Sequence, residues 1–148
     1  MARQRAKPVA VKPFVLDCSV VLTWFFADEA DPYADKVAEA LTRITAVVPA
    51  LFHLEIANTL VVGERRKRST EAQATAFLAR LAALPIRVDD QTVARAWSDT
   101  IALARIHELS TYDAAYLEIA VRQSLAMATT DEKLEAAAKA IGVAIFAP

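Results

Sequence analysis

Four carboxylates stand where acid chemistry and structure compete to explain them. Asp17 directly follows the apolar run Phe14-Val15-Leu16, and Asp131 follows Leu125 to Ala128 after Thr129-Thr130. Both runs read as buried strands, so both acids stand at carboxyl ends of strands, where open α/β sheets bind ligands. Each also precedes a helix, and an N-cap role would explain either one alone. Glu55 lies in Leu51-Phe52-His53-Leu54-Glu55-Ile56-Ala57-Asn58-Thr59-Leu60, with Asn58 three residues on and so on the same helical face. That helix has few other polar residues and is expected to be largely covered. An ionised carboxylate there must be paired or bound to a cation. A Lys or Arg at the helix rim is the alternative partner. Asp113 falls in the first turn of a helix within Ser110-Thr111-Tyr112-Asp113-Ala114-Ala115-Tyr116-Leu117, where the helix dipole alone would account for it.

If the four acids converge, their repulsion must be relieved. Two unit charges about 5 Å apart at an effective dielectric near 20 repel by roughly 3 kcal/mol. These motifs contain no obvious cationic partner, and a divalent cation would supply the missing charge. Oxygen donors without His or Cys favour Mg2+ or Mn2+ over zinc. His53 and His107 lack ligand spacing and read as structural or surface residues; Cys18 reads as a small buried side chain.

The elements that must position these residues follow from apolar periodicity. Short strands are expected at 14–16, 46–48, 86–88, 125–128 and 143–146. Helices are expected over about 20–26, 31–45, 50–67, 70–84, 91–106, 112–123 and 132–140. Pro32 opens the second helix, Ser69 or Thr70 caps the fourth, Pro85 stops it, and Gly142 ends the last. Short apolar strands alternating with helices imply an α/β fold with a parallel sheet. Trp24, Phe25 and Phe26 are read as core residues, with a partner-helix surface as the alternative. Arg65-Arg66-Lys67-Arg68 is a dense basic cluster at a helix end. It suits either phosphate contact or a solvated face.

Composition bounds the rest. The chain has 148 residues, 55% hydrophobic and 24% charged, enough for one packed core and too apolar for disorder. No apolar run approaches the ~20 residues of a membrane span. Residues 1–12 read as a basic flexible tail and not a secretory signal, leaving 13–148 as the folded domain. A single cysteine permits no internal disulfide and fits a reducing cytoplasm. The formal net charge of −1 means that any nucleic-acid contact needs a local basic patch. Only two glycines occur, Gly63 and Gly142, which excludes a Walker A loop and a GxGxxG fingerprint.

The motifs resemble a known family. Leu16-Asp17-Cys18-Ser19-Val20-Val21-Leu22-Thr23-Trp24-Phe25-Phe26-Ala27-Asp28-Glu29 resembles the opening of PIN-domain toxins of the VapC type. Pro49-Ala50-Leu51-Phe52-His53-Leu54-Glu55-Ile56-Ala57-Asn58, Ser110 to Ala120, and Ala128-Thr129-Thr130-Asp131-Glu132-Lys133-Leu134 resemble the later motifs in the same order. The resemblance spans about residues 14–146 and implies a three-layer α/β/α fold. It further implies metal-dependent hydrolysis of RNA phosphodiesters with Mg2+ or Mn2+, a homodimer, and inhibition by an antitoxin protein. By position, Asp17, Glu55, Asp113 and Asp131 match the family's catalytic and metal-ligating acids, with Asp17 and Asp131 as principal ligands. Ser19, Asn58 and Thr129 match supporting polar residues. Cys18 replaces a more usual Thr or Ala.

Rival readings fit less well. A haloacid-dehalogenase-type phosphatase needs a second Asp where Ser19 stands. A receiver domain needs an acid paired before Asp17 and a Lys after the last strand, and has neither. A non-catalytic binding or regulatory protein of the same fold is the remaining alternative.

Overall fold

Four short parallel strands are enough to set the whole architecture. The computed structural model describes residues 11–148, and nearly all of the basic N-terminal segment lies outside them. The strands are β1 (Phe14–Leu16), β2 (Ala46–Val48), β3 (Ile86–Val88) and β4 (Met127–Ala128), in the order β3-β2-β1-β4. Phe14 pairs with Ala46, Ala46 with Ile86, and Leu16 with Ala128, all parallel. Strands β1 and β2 are buried at every residue, as parallel strands covered on both faces must be. Edge strand β3 is largely exposed.

The chain winds outward from β1 through β2 to β3, then returns past β1 to lay down β4. Strand β1 is therefore the switch point of the sheet, the place at whose carboxyl end open α/β sheets bind ligands. Helices flank the sheet in the expected three-layer α/β/α arrangement. They are α1 (Cys18–Phe25), α2 (Pro32–Ala40), α3 (Phe52–Arg65), α4 (Glu71–Ala82), α5 (Thr92–Arg95), α6 (Ile101–His107), α7 (Thr111–Gln123) and α8 (Glu132–Ala140).

Local chemistry explains most boundaries. Asp31 accepts the Tyr33 and Ala34 amides, with Pro32 in the first turn of α2. Thr70 and Gln73 form a reciprocal capping box that opens α4. Ser110 accepts the Asp113 amide at the start of α7. Gly142 leaves α8 at φ +79°, and the Val143 amide returns to the Ala138 carbonyl, a Schellman-type close that favours glycine. Gly63 serves a different need. A Cβ there would meet the Phe26 ring at 3.1 Å, so glycine lets α3 pack against the end of α1. Seven consecutive residues of α7, Ala114 to Ala120, are buried, making it the central helix.

Three expectations change. The strand expected over 143–146 is reduced to one bridge between Ile145 and Met127. Its neighbour β4 offers only a two-residue ladder, because the Leu125 amide closes α7 onto the Ala120 carbonyl. The Phe146 carbonyl accepts the Tyr33 hydroxyl while the Phe146 ring stacks on Phe14, 4.0 Å between centroids. The helix expected over 91–106 is interrupted by a π-helical turn at Ala96–Thr100. Finally, α3 is covered on one side only. Phe52, Ile56, Leu60 and Gly63 are buried, whereas Leu54 is 74% exposed.

Trp24 and Phe25 are half-buried against the core, Phe26 is buried, and the Trp24 indole donates to the Ala34 carbonyl. Among the described residues no helix is long and apolar enough to cross a membrane.

Candidate active site

The carboxyl end of β1 places Asp17 at the switch point of the sheet. Its backbone opens α1, yet its side chain caps nothing. It accepts hydrogen bonds from the Ser19 and Thr129 hydroxyls instead. Only 2% of Asp17 is exposed. Burial is the main reason its carboxyl is raised to about 6. The two hydroxyls pull the other way, and the Asp113 and Glu55 charges add to the rise.

Two turns are stitched together around this carboxylate. The Asp17 amide donates to the Ala128 carbonyl, joining β1 to β4. Ser19 accepts the Thr130 amide while donating to Asp17. Thr129 accepts the Asp131 amide while donating to Asp17. The sequence expectation for Ser19 and Thr129 as supporting polar groups thus corresponds to two direct contacts. Asn58 is exposed one turn after Glu55, and the hydrogen-bond partners of the Asp17 carboxylate among the described residues are Ser19 and Thr129.

Glu55 reaches the site from α3, half-buried. Its partner is not a Lys or Arg but the Tyr116 hydroxyl, which donates to Oε1 at 2.7 Å. Burial raises the Glu55 carboxyl, the phenol opposes this, and Asp113 adds to the rise. Asp113 projects from the first turn of α7. Its carboxyl is raised by burial and by Asp131, while Ser110 and Lys133 lower it. Asp131 caps α8 through Oδ1, accepting the Leu134 amide at 2.8 Å, so the N-cap explanation is realised at this acid. The set therefore approaches from four elements, the ends of β1 and β4 and the helices α3 and α7. None of the four acids takes part in a salt bridge among the described residues.

Cys18 lies beside the cluster. Burial, and then the Asp17 charge, push its thiol pKa up and disfavour the thiolate. His53 is exposed, whereas His107 keeps Nε2 buried without a hydrogen-bond partner among the described residues. The basic cluster divides. Arg65, Arg66 and Lys67 are exposed at the end of α3. Arg68 is committed instead, bidentate to Asp28 at 2.9 and 3.0 Å and 4.1 Å above the Phe26 ring. A cleft of about 590 Å³ lies between α1 and α4 beside Trp24, Phe25 and Arg68. It includes none of the four acids, so chemistry and not volume marks the candidate site.

The donor set suits a hard divalent cation: oxygen ligands, no ion-pair partner among the described residues, and at Asp17, Glu55 and Asp113 carboxyl pKa values raised first by burial and then by acidic neighbours. Among the described residues, however, no three His, Cys, Asp or Glu side chains are gathered closely enough to chelate an ion as they stand.

Comparison with known proteins decides the family. A family model described as PIN domain matches residues 14–140. The chain belongs to the PIN-domain family. PIN domains are generally nucleases, and PIN nucleases typically use a divalent metal. Solved PIN-like structures share the fold at low identity. PAE2754 from Pyrobaculum aerophilum superposes with a TM-score of 0.66 at 20% identity, over 90% of this chain and 88% of that one. FitAcB from Neisseria gonorrhoeae gives 0.59 at 19%, covering 91% and 97%. Mycobacterium tuberculosis VapC20, described as a sarcin–ricin loop cleaving toxin, gives 0.58 at 17%, covering 91% and 99%. A search of curated proteins gives no match.

Two features of this PIN domain escaped sequence reasoning. Tyr116 stands three residues after Asp113 on α7, a spacing that would have placed both on one face. The second is an ionic knot. Arg122 binds Asp89 and Glu118, both nearly fully buried, and Gln123 also donates to Asp89. No sequence spacing links Asp89 to residues more than thirty positions away.

Proposed function

We propose that this PIN-domain chain is a metal-dependent endoribonuclease that hydrolyses RNA phosphodiester bonds as the toxin of a toxin–antitoxin pair. One observation carries the proposal. A nearly inaccessible carboxylate, Asp17, sits at the switch point of the sheet with two hydroxyl donors, two acidic neighbours and no salt bridge among the described residues. A buried charge left in that condition is costly without a cation.

Asp17, Glu55, Asp113 and Asp131 would hold Mg2+ or Mn2+. The bound ion would supply Lewis-acid activation of a phosphoryl oxygen and of an attacking water. The chain's own contribution is positioning. Ser19 and Thr129 fix the Asp17 carboxylate, and the cap to Leu134 fixes Asp131. Asp113 and Glu55 stand where they can take a second ion or orient water. Arg65, Arg66 and Lys67 supply a local positive surface for the RNA backbone. The toxin reading, with an antitoxin protein, is supported by the likeness to VapC20 and by the motif resemblance; the homodimer rests on the motif resemblance alone.

The test is cleavage of mixed RNA by purified protein with excess chelator, Mg2+ or Mn2+, alongside Asp17→Asn and Asp131→Asn. Asn preserves shape and N-cap ability, so both variants should fold. Cleavage should require metal and fall about 100-fold or more in each variant. Metal-independent cleavage, or full activity in both variants, would overturn the proposed site. Absence of cleavage by wild type under every condition would leave a non-catalytic PIN-fold binding protein.

A further inference from the structure

We infer that Tyr116 is a positioning residue that fixes the Glu55 carboxylate for metal, an inference that rests on the metal reading above. Tyr116 is fully buried, so its phenol must find a partner inside the protein. The partner is Glu55 Oε1 at 2.7 Å, sixty-one residues away on a different helix. A phenol donating to a carboxylate is a charge-assisted bond, stronger than one between neutral groups. Core packing would be met equally by Phe. The hydroxyl is the part that packing does not explain.

The arrangement has a mechanical consequence. Asp113 and Tyr116 are three residues apart on α7, so one rigid, buried helix presents both an acid and the group that orients another acid. Glu55 is half-buried on α3, with Leu54 and Ala57 exposed beside it. Without the phenol, its long side chain would be free to turn away from the cluster. The bond replaces that freedom with one orientation before any ion arrives, and outer-shell hydrogen bonds of this kind typically matter for affinity. Helix α7 thereby couples the two acids that stand on helices, α3 and α7.

The experiment titrates Mn2+ into full-length wild type, Tyr116→Phe, Glu55→Gln and the double variant. Free Mn2+ is followed by electron paramagnetic resonance. Removing the hydroxyl should weaken Mn2+ binding about tenfold in the wild-type background and less than about twofold when Glu55 is already Gln. Wild-type affinity in Tyr116→Phe overturns the inference. So does an equal loss in both backgrounds, which would mark a general disturbance of the core. If wild type itself binds no Mn2+, the metal reading fails and this inference falls with it. A further measurement needs no variant and covers the case in which Tyr116→Phe does not fold. The hydroxyl proton of Tyr116, protected by burial, should shift in the proton spectrum on adding Mg2+. An unmoved resonance in protein that binds the ion overturns the positioning role.

Discussion

At the residue scale, Asp17 concentrates the tension in this molecule. Its carboxyl is raised from 3.8 to about 6, chiefly because burial disfavours the charged form. The folded chain therefore binds a proton at Asp17 more readily than the unfolded chain does. The stabilisation from that proton is complete below about pH 4 and is lost as pH rises through about 6. Its size is on the order of 2–3 kcal/mol. In excess chelator, the contribution of Asp17 should make the protein melt lower at pH 7 than at pH 5. Asp17→Asn carries no charge to desolvate, so it should flatten this dependence and melt above wild type at pH 7. Thermal melts of both proteins across that range check the point, and identical pH profiles would show that the carboxylate is not under electrostatic stress. Ser19 and Thr129 soften the stress without removing it, since hydroxyl donors stabilise the anion but bring no charge.

At the element scale, α7 joins the site to the far end of the sheet. Its first turn carries Asp113, its middle carries Tyr116, and its last turn carries Arg122. Arg122 binds Asp89 after β3 and Glu118 one turn back on α7, with distances of 2.7 Å to each. Burial tends to raise the Asp89 carboxyl, but the hydrogen bond from Arg122, the Gln91 amide and the Arg122 charge together hold it below its usual value. Removing the guanidinium would leave two nearly buried carboxylates facing each other. Arg122→Ala should therefore cost about 3–5 kcal/mol, read as a lower denaturant midpoint with an unchanged slope. A loss under 1 kcal/mol would mean that solvent already screens the pair. The same network ties α5 and the π-helical turn to α7, because Arg95 reaches both Asp99 and Glu118. The helix that presents the third acid is thus locked at its opposite end.

For the whole molecule, the proposal is a fold whose stability and ligand affinity are coupled. On the proposed reading only the folded chain can bring the four acids to one ion, so a bound divalent ion should stabilise it by roughly 2.7 kcal/mol at 100 times the dissociation constant. For a domain of this size the melting temperature should rise on the order of 5–10 °C on adding Mg2+ or Mn2+ after chelation, and Asp17→Asn should shrink the rise. An unchanged wild-type melting temperature would count against a metal site of useful affinity. Charge acts at the same scale. With a net charge of −1, the chain attracts RNA only through local patches. Neutralising Arg65, Arg66 and Lys67 should weaken RNA binding across sequences and reduce its salt slope by up to about 2. Arg68 is held by Asp28 and Phe26, so replacing it should disturb stability more than the salt slope. An unaltered slope in the triple variant would return these residues to a solvated surface.

The linear sequence was sufficient where the governing physics is local. The short runs Phe14-Val15-Leu16, Ala46-Val47-Val48 and Ile86-Arg87-Val88, stopped by Asp17, Pro49 and Asp89, marked strands. Ser110, Thr70 and Gly142 marked helix ends, because a cap satisfies amides and carbonyls within a few residues of itself. The four acids were legible for a related reason: each stands at a definable place on its own element. Their orientation was not legible. Whether Asp131 caps α8 while Asp17 leaves α1 uncapped depends on Ser19 and Thr129 meeting from opposite ends of the chain. The fifth strand looked as regular as the others, but β4 lent it too short an edge. The bonds from Tyr116 to Glu55 and from Arg122 to Asp89 span sixty-one and thirty-three positions. A hydrogen bond depends on distance and angle between atoms that only the packed helices and sheet bring together, and periodicity within one element holds no record of them.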